Sequence, residues 1–144
     1  MVDFFTPEQE ARIIEAIRLA EECTTGEIRV HLETDAKVDA ITESKKVFQQ
    51  LGMHKTKFRN GVLILLEISR REFAIIGDEG IDAVVTEDFW KEERDLMQNH
   101  FRQQDFAGGI CLAIQQIGAK LKRHFPAEDS GENENELPNT ISIN

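Results

Sequence analysis

The sequence predicts an α/β fold: a three-layer α/β/α sandwich with a small mixed sheet, a central β-hairpin and helices on both faces. Three observations carry this. From Gly61 to Ile68 the chain runs almost without polar interruption, as a strand buried on both faces does. Ser69-Arg70-Arg71 is short and polar and Glu72 to Gly77 is apolar again, so the chain reverses and returns alongside itself. Segments of helical periodicity flank this hairpin in the sequence and supply the outer layers.

Taken in order, Thr6-Pro7-Glu8-Gln9 opens the first helix: Thr6 caps, Pro7 takes the first helical position, and Gln9 completes a capping box. Ile13, Ile14, Ile17 and Ala20 form its apolar stripe, and Thr24-Thr25-Gly26 ends it. Glu27 to Glu33 alternates strictly, with Ile28, Val30 and Leu32 on one side and Glu27, Arg29, His31 and Glu33 on the other. One wet face places this strand near the sheet edge.

A second helix is expected from Val38 to Leu51, carrying Ile41, Val47, Phe48 and Leu51. Strand, helix and hairpin strand make a βαβ unit, whose crossover sets the first two strands parallel. Met53 to Arg59 is a loop. After the hairpin, Thr86 or Asp88 begins a helix with Trp90, Met97 and Phe101, and Asp105 caps a last helix with Ile110, Ala113, Ile114, Ile117 and Leu121 at helical spacing. Phe125-Pro126 closes a single domain, residues 1–126. Residues 127–144 are acidic and polar and free of Lys and Arg, and they read as a disordered tail.

The chain has 144 residues, a hydrophobic fraction of 40% and a formal net charge of −10. Such a balance argues against neutralising the phosphates of a nucleic acid and favours cations as partners. No window has the length of a membrane span, and MVDFFTPEQE has neither a basic segment nor a signal-like apolar run, so a cytoplasmic, non-membrane protein is expected. Cys23 and Cys111 form no CxxC pair and read as buried or bystander thiols. Cys23 and Arg29 do satisfy the C-x5-R spacing of cysteine phosphatases. The order is wrong, however: Cys23 follows a helix, whose negative end would oppose thiolate formation. His31, His54, His100 and His124 show no zinc-ligand spacing, and P-loop, GxGxxG, HExxH and GxSxG motifs are absent.

The predicted topology brings Glu27, Asn60, Asp78, Glu79 and Asp82 to one end of the sheet, with the turn around Asp105 able to fold over it. Hard divalent cations take several oxygens from carboxylates, amide carbonyls and backbone, and these positions offer them. Read separately, Gly77-Asp78-Glu79-Gly80 is a polar turn and Asp105 an N-cap. Lys55, Lys57 and Arg59 approach the same end and could hold a phosphate.

The chain resembles the TPM domain family, often labelled TPM phosphatase. The matching stretches are Thr25-Gly26-Glu27-Ile28 opening the first strand and Asn60-Gly61-Val62-Leu63-Ile64-Leu65-Leu66 in the central one. Phe73-Ala74-Ile75-Ile76-Gly77-Asp78-Glu79-Gly80-Ile81-Asp82 follows the hairpin turn, and Phe101 to Ile110 includes Asp105 and Gly109. The resemblance implies an α/β/α sandwich, divalent-cation binding at acidic loops, calcium especially, and an acid phosphatase activity that is not general to the family. Mapped here, the implied metal positions are Asp78, Glu79, Asp105, Asn60 and Glu27. Many members carry an export signal and a membrane segment or glycine-rich tail, which this sequence lacks, so an envelope or organelle role is not carried over.

The expectation is a monomeric TPM domain that binds Ca²⁺ or Mg²⁺ as a binding or regulatory module. The alternative is a metal-dependent phosphatase in which Lys57 or Arg59 neutralises the phosphate ester. A further alternative is a protein-interaction domain without a metal.

Overall fold

The structure, a computed structural model, describes residues 4–127 and 140–143. In chain order the elements are α1 (Pro7–Glu21), β1 (Glu27–Glu33), α2 (Ala40–Gln50), β2 (Gly61–Glu67), β3 (Glu72–Gly77), α3 (Glu79–Asp82), α4 (Lys91–Arg102), α5 (Phe106–His124) and β4 (Ser142–Ile143). The chain divides into two compact units, one holding the strands with α2 and α3, the other holding α1, α4 and α5.

In the sheet unit the strand order is β3-β2-β1-β4. As the βαβ argument requires, β1 and β2 run parallel, in register from Glu27 opposite Gly61 to Glu33 opposite Glu67. The hairpin pairs β2 with β3 antiparallel, from Val62 opposite Gly77 to Glu67 opposite Glu72. Its first strand is central and its second ends the sheet. Every residue of β2 is buried, which is why the stretch carries no polar alternation.

Side chains alternate between sheet faces, so Leu63, Leu65 and Ala74 share one face, and on it they form a core with Ala40, Val47 and Phe48 of α2 and with Met53. Burying each large side chain contributes about 2 kcal/mol. The other face, Ile28, Val30, Leu32, Val62, Ile64 and Leu66, is equally inaccessible. The α/β class, the small mixed sheet and the burial of both faces are those of an α/β/α sandwich.

Three expectations change here. β1 does lie near the edge, with only the short β4 beyond it at His31 and Leu32, but it is not wet on one side: Glu27, His31 and Glu33 are buried. Alternation was a misleading signal because His31 shares its face with Leu65, its partner in register, and that face is the one α2 covers. The second helix begins at Ala40 rather than Val38, since Asp39 caps it by accepting from the Thr42 N–H at 2.8 Å. Ile41, expected in the apolar stripe, is 57% exposed, while Glu43 and Ser44 turn inward.

The tail differs at its end. Ser142 and Ile143 pair in parallel with His31 and Leu32. A short strand satisfies backbone groups that the edge of β1 would otherwise leave open. Residues 128–139 and 144, also assigned to a disordered tail, lie outside the described residues.

In the helical unit the capping box at Thr6 and Gln9 forms as predicted, with both reciprocal bonds present. Ile13 and Ile17 of α1 and Ile110, Ile114, Ile117 and Leu121 of α5 are fully or almost fully buried, the helical spacing placing each set on one stripe. A Cβ on Gly118 would lie 2.7 Å from the Ala20 Cβ, so α5 needs a glycine there for α1 to approach as it does. Thr25 N–H donates to the Phe125 carbonyl at 3.0 Å, and Thr24 bridges to Pro126, closing this unit where Phe125-Pro126 was expected to close the domain.

The helix expected from Thr86 or Asp88 starts at Lys91. Thr86 and Asp88 instead accept turn hydrogen bonds from the N–H groups of Phe89 and Lys91. Cys111 is buried, which pushes its thiol pKa up, and Cys23 is exposed.

Candidate functional site

The register that builds the sheet also assembles its acidic end. Glu27 opens β1 opposite Gly61, which opens β2 after Asn60, and Gly77 closes β3 opposite Val62. The Asp78 N–H then donates to the Gly61 carbonyl at 2.9 Å, extending the hairpin ladder by one bond. Glu27, Asn60 and Asp78 are all buried, at 3%, 1% and 7% exposure. Polar groups with so little water must be satisfied within the protein.

Asp78 caps the short helix α3, its Oδ1 accepting from the Glu79 N–H at 2.8 Å. Gly80 follows. Its N–H donates to the Arg59 carbonyl at 2.8 Å, and a Cβ at this position would sit 2.2 Å from the Phe58 oxygen and 2.5 Å from that of Arg59. Only glycine permits this approach, and the approach fixes the loop ahead of β2 against the start of α3.

Arg59 is held there in a left-handed conformation, φ 52°. Its guanidinium donates from Nε to Asp78 Oδ2 at 2.8 Å, from Nη2 to Asp78 Oδ1 at 3.0 Å and from Nη1 to Glu79 Oε1 at 2.9 Å. The fork on Asp78 is bidentate, the geometry in which guanidinium and carboxylate match best. Asp78 is enclosed while Glu79 is 71% exposed. The Asp78 hydrogen bond raises the Arg59 pKa further. Asp82, at the end of α3, is held above the usual carboxylate range by burial and by the charge of Asp78.

Lys57 and Asp105 lie in different settings. Lys57 is exposed, with its ammonium 5.1 Å from the centroid of the Phe58 ring. Asp105 belongs to the helical unit, where it caps α5 by accepting from the Gly108 N–H at 3.2 Å. Its Oδ2 lies 2.9 Å from His100 Nδ1, and that hydrogen bond holds its pKa below the usual range.

The structure thus brings Glu27, Asn60, Asp78 and Glu79 to one end of the sheet and pairs two of them with Arg59. The sequence assigns Arg59, with Lys57, to a phosphate only in the phosphatase alternative. The sequence carries a signal for this pairing: continuing the hairpin register beyond Gly61 and Asp78 carries position 59 across from Gly80, next to Glu79.

Comparison with known proteins decides the family. The TPM domain profile matches residues 1–120. The chain belongs to the TPM domain family. The BA42 protein of the psychrophilic bacterium Bizionia argentinensis, solved by NMR, is similar over 100% of this chain and 98% of its own, with 42% identity and a TM-score of 0.92. Two further solution structures share the fold. The N-terminal domain of a P. gingivalis protein has a TM-score of 0.68 at 22% identity, covering 88% of this chain and 83% of its own. The N-terminal domain of the cg2496 protein of Corynebacterium glutamicum has a TM-score of 0.60 at 17% identity, covering 81% and 74%. No curated protein matches the chain.

The family resemblance implies a divalent cation, and the TPM domain's acidic end can be tested for it. Among the described residues, no three His, Cys, Asp or Glu side chains converge as a ligand group. Asp78 and Glu79 nevertheless direct carboxylate oxygens onto one positive group, the Arg59 guanidinium, at hydrogen-bond distance. The donors are hard oxygens, the type that Ca²⁺ and Mg²⁺ take, and carbonyl oxygens and water would have to complete a shell of six or more.

Proposed function

We propose that this TPM domain is a divalent-cation binding module, taking Ca²⁺ or Mg²⁺ at the sheet end through Asp78 and Glu79, with Asn60 and Glu27 beside them. The observation that supports it is the convergence of the Asp78 and Glu79 carboxylates on a single positive group, at a place where Asp78 has almost no access to water. A buried carboxylate requires a positive partner. The bound ion would supply charge neutralisation and order to the loop ahead of β2 and to α3.

The phosphatase alternative assigned phosphate neutralisation to Lys57 or Arg59. Arg59 is engaged by the two acids and Lys57 stacks on Phe58, so this arrangement gives that reading no further support. Among the described residues, no helix is long and apolar enough to cross a membrane.

The test is an NMR titration of backbone amides with Ca²⁺ and then Mg²⁺. Saturable shifts confined to the neighbourhood of Gly26, Asn60 and Asp78 are expected, with about tenfold weaker binding in Asp78→Asn, which keeps the cap but removes the charge. Amides around Asp105 report separately on the helical unit. Shifts that stay linear in metal concentration, or an affinity unchanged by Asp78→Asn, would refute the assignment.

A further inference from the structure

Arg59 is held in its loop in two ways. Its backbone is fixed independently of its side chain: its N–H donates to the Thr56 carbonyl at 3.3 Å, and its carbonyl accepts from Gly80. Its side chain commits three donors to two acids while remaining 37% exposed. The loop can therefore keep its shape while the guanidinium leaves. Lys57, two positions earlier, has its ammonium 5.1 Å from the centroid of the Phe58 ring.

We propose that Arg59 is the resident counter-ion of the cation site and is exchanged for the divalent metal when the metal binds. The inference rests on the cation-binding reading and adds its regulation. Both Asp78 oxygens already accept from the guanidinium, and Oδ1 also accepts from the Glu79 N–H. A metal needs the same lone pairs, and two positive groups cannot occupy one pair of oxygens without repulsion. Metal binding and the Arg59 fork are then mutually exclusive. The apparent affinity equals the intrinsic affinity multiplied by the fraction of molecules in which Arg59 is released.

The closing experiment titrates the full chain and its variants with Ca²⁺ alone, following amide shifts and the Arg59 Nε–H resonance. Arg59→Asn removes the charge and keeps a residue type that tolerates the left-handed backbone. Its Ca²⁺ affinity should rise about tenfold, the factor for a competitor that holds the site nine-tenths of the time. Arg59→Lys keeps one charge without the fork and should fall between Arg59→Asn and the wild type. In the wild type, the Nε–H resonance should move towards that of a solvated arginine in step with the Asp78 amide. Equal or weaker affinity in Arg59→Asn, or an Nε–H resonance that stays in place while Asp78 saturates, overturns the exchange and leaves the cation site standing. Failure of every protein to bind Ca²⁺ near Asp78 overturns the site and the exchange together.

Discussion

His31 Nδ1 lies 2.7 Å from the Ser142 hydroxyl, joining residues 111 positions apart through the pairing of β1 with β4. The other ring nitrogen, Nε2, lies 3.3 Å from Glu33 Oε2. An ionised carboxylate only accepts, so in the neutral ring Nε2–H donates to Glu33, and Nδ1 accepts from Ser142.

Burial lowers the His31 pKa more than Glu33 and Glu43 restore it. The sign follows from linkage. With the folded value below the ordinary one of about 6.5, the His31 contribution is fully present above that pH and is lost as pH falls towards the folded pKa. The cost is about 1.4 kcal/mol for each tenfold loss of proton affinity. An imidazole NMR titration should find His31 still neutral just below pH 6.5, and His31→Gln should flatten stability against pH as it falls below about 6.5. Ser142→Ala should speed amide exchange at Ile143 about fivefold, as loss of one hydrogen bond of about 1 kcal/mol predicts. A His31 that titrates at the ordinary value would contradict this account.

Gly80→Ala should cost about 3 kcal/mol, because the atoms its Cβ would meet are backbone oxygens at 2.2 and 2.5 Å rather than movable side chains. Gly52 provides the contrast. It has φ 71° but its nearest neighbour is a Lys55 methylene at 3.8 Å, so Gly52→Asn should cost under about 1 kcal/mol. Chemical denaturation of both variants measures the difference, and similar losses at the two sites would show that the contact of Gly80 with the loop is not what constrains it.

The ion pair of Glu93 and Lys120 sets a third prediction within the helical unit. Glu93 Oε1 accepts from Lys120 Nζ at 2.7 Å, the glutamate side chain is fully buried, and the ammonium also donates to the Phe89 carbonyl and lies 4.8 Å from the Phe89 ring centroid. Lys120→Met would leave a buried carboxylate without its cation and should destabilise by about 3–5 kcal/mol. Adding Glu93→Leu should recover most of that loss, since two apolar side chains need no counter-charge. Denaturant unfolding of the single and double variants tests the coupling, and additive losses would exclude it.

Much of the fold was legible because it is written in local periodicity. The uninterrupted run from Gly61, the polar turn at Ser69-Arg70-Arg71 and the Thr6 capping box each specify their element without help from distant residues. The sheet end could also be located, since strand order and direction follow from the βαβ and hairpin connections. Asp78 and Glu79 therefore stand where sequence reasoning placed them.

Other features depend on partners that no local pattern names. The alternation of β1 describes a two-faced strand, but whether its second face meets water depends on α2 and on a strand more than a hundred residues away. The charge of Arg59 is plain in the sequence. That it neutralises Asp78 instead of facing solvent follows from the tight contact of Gly80 with the Phe58 and Arg59 carbonyls, a packing relationship between separate segments. Short-range periodicity and chain connectivity suffice for the hairpin, the long helices, the parallel β1–β2 pair and the acidic character of one sheet end, but not for α3 or β4. Tertiary structure alone decided which polar groups lost their water and which charge answered them, because desolvation is set by every element packed around a residue.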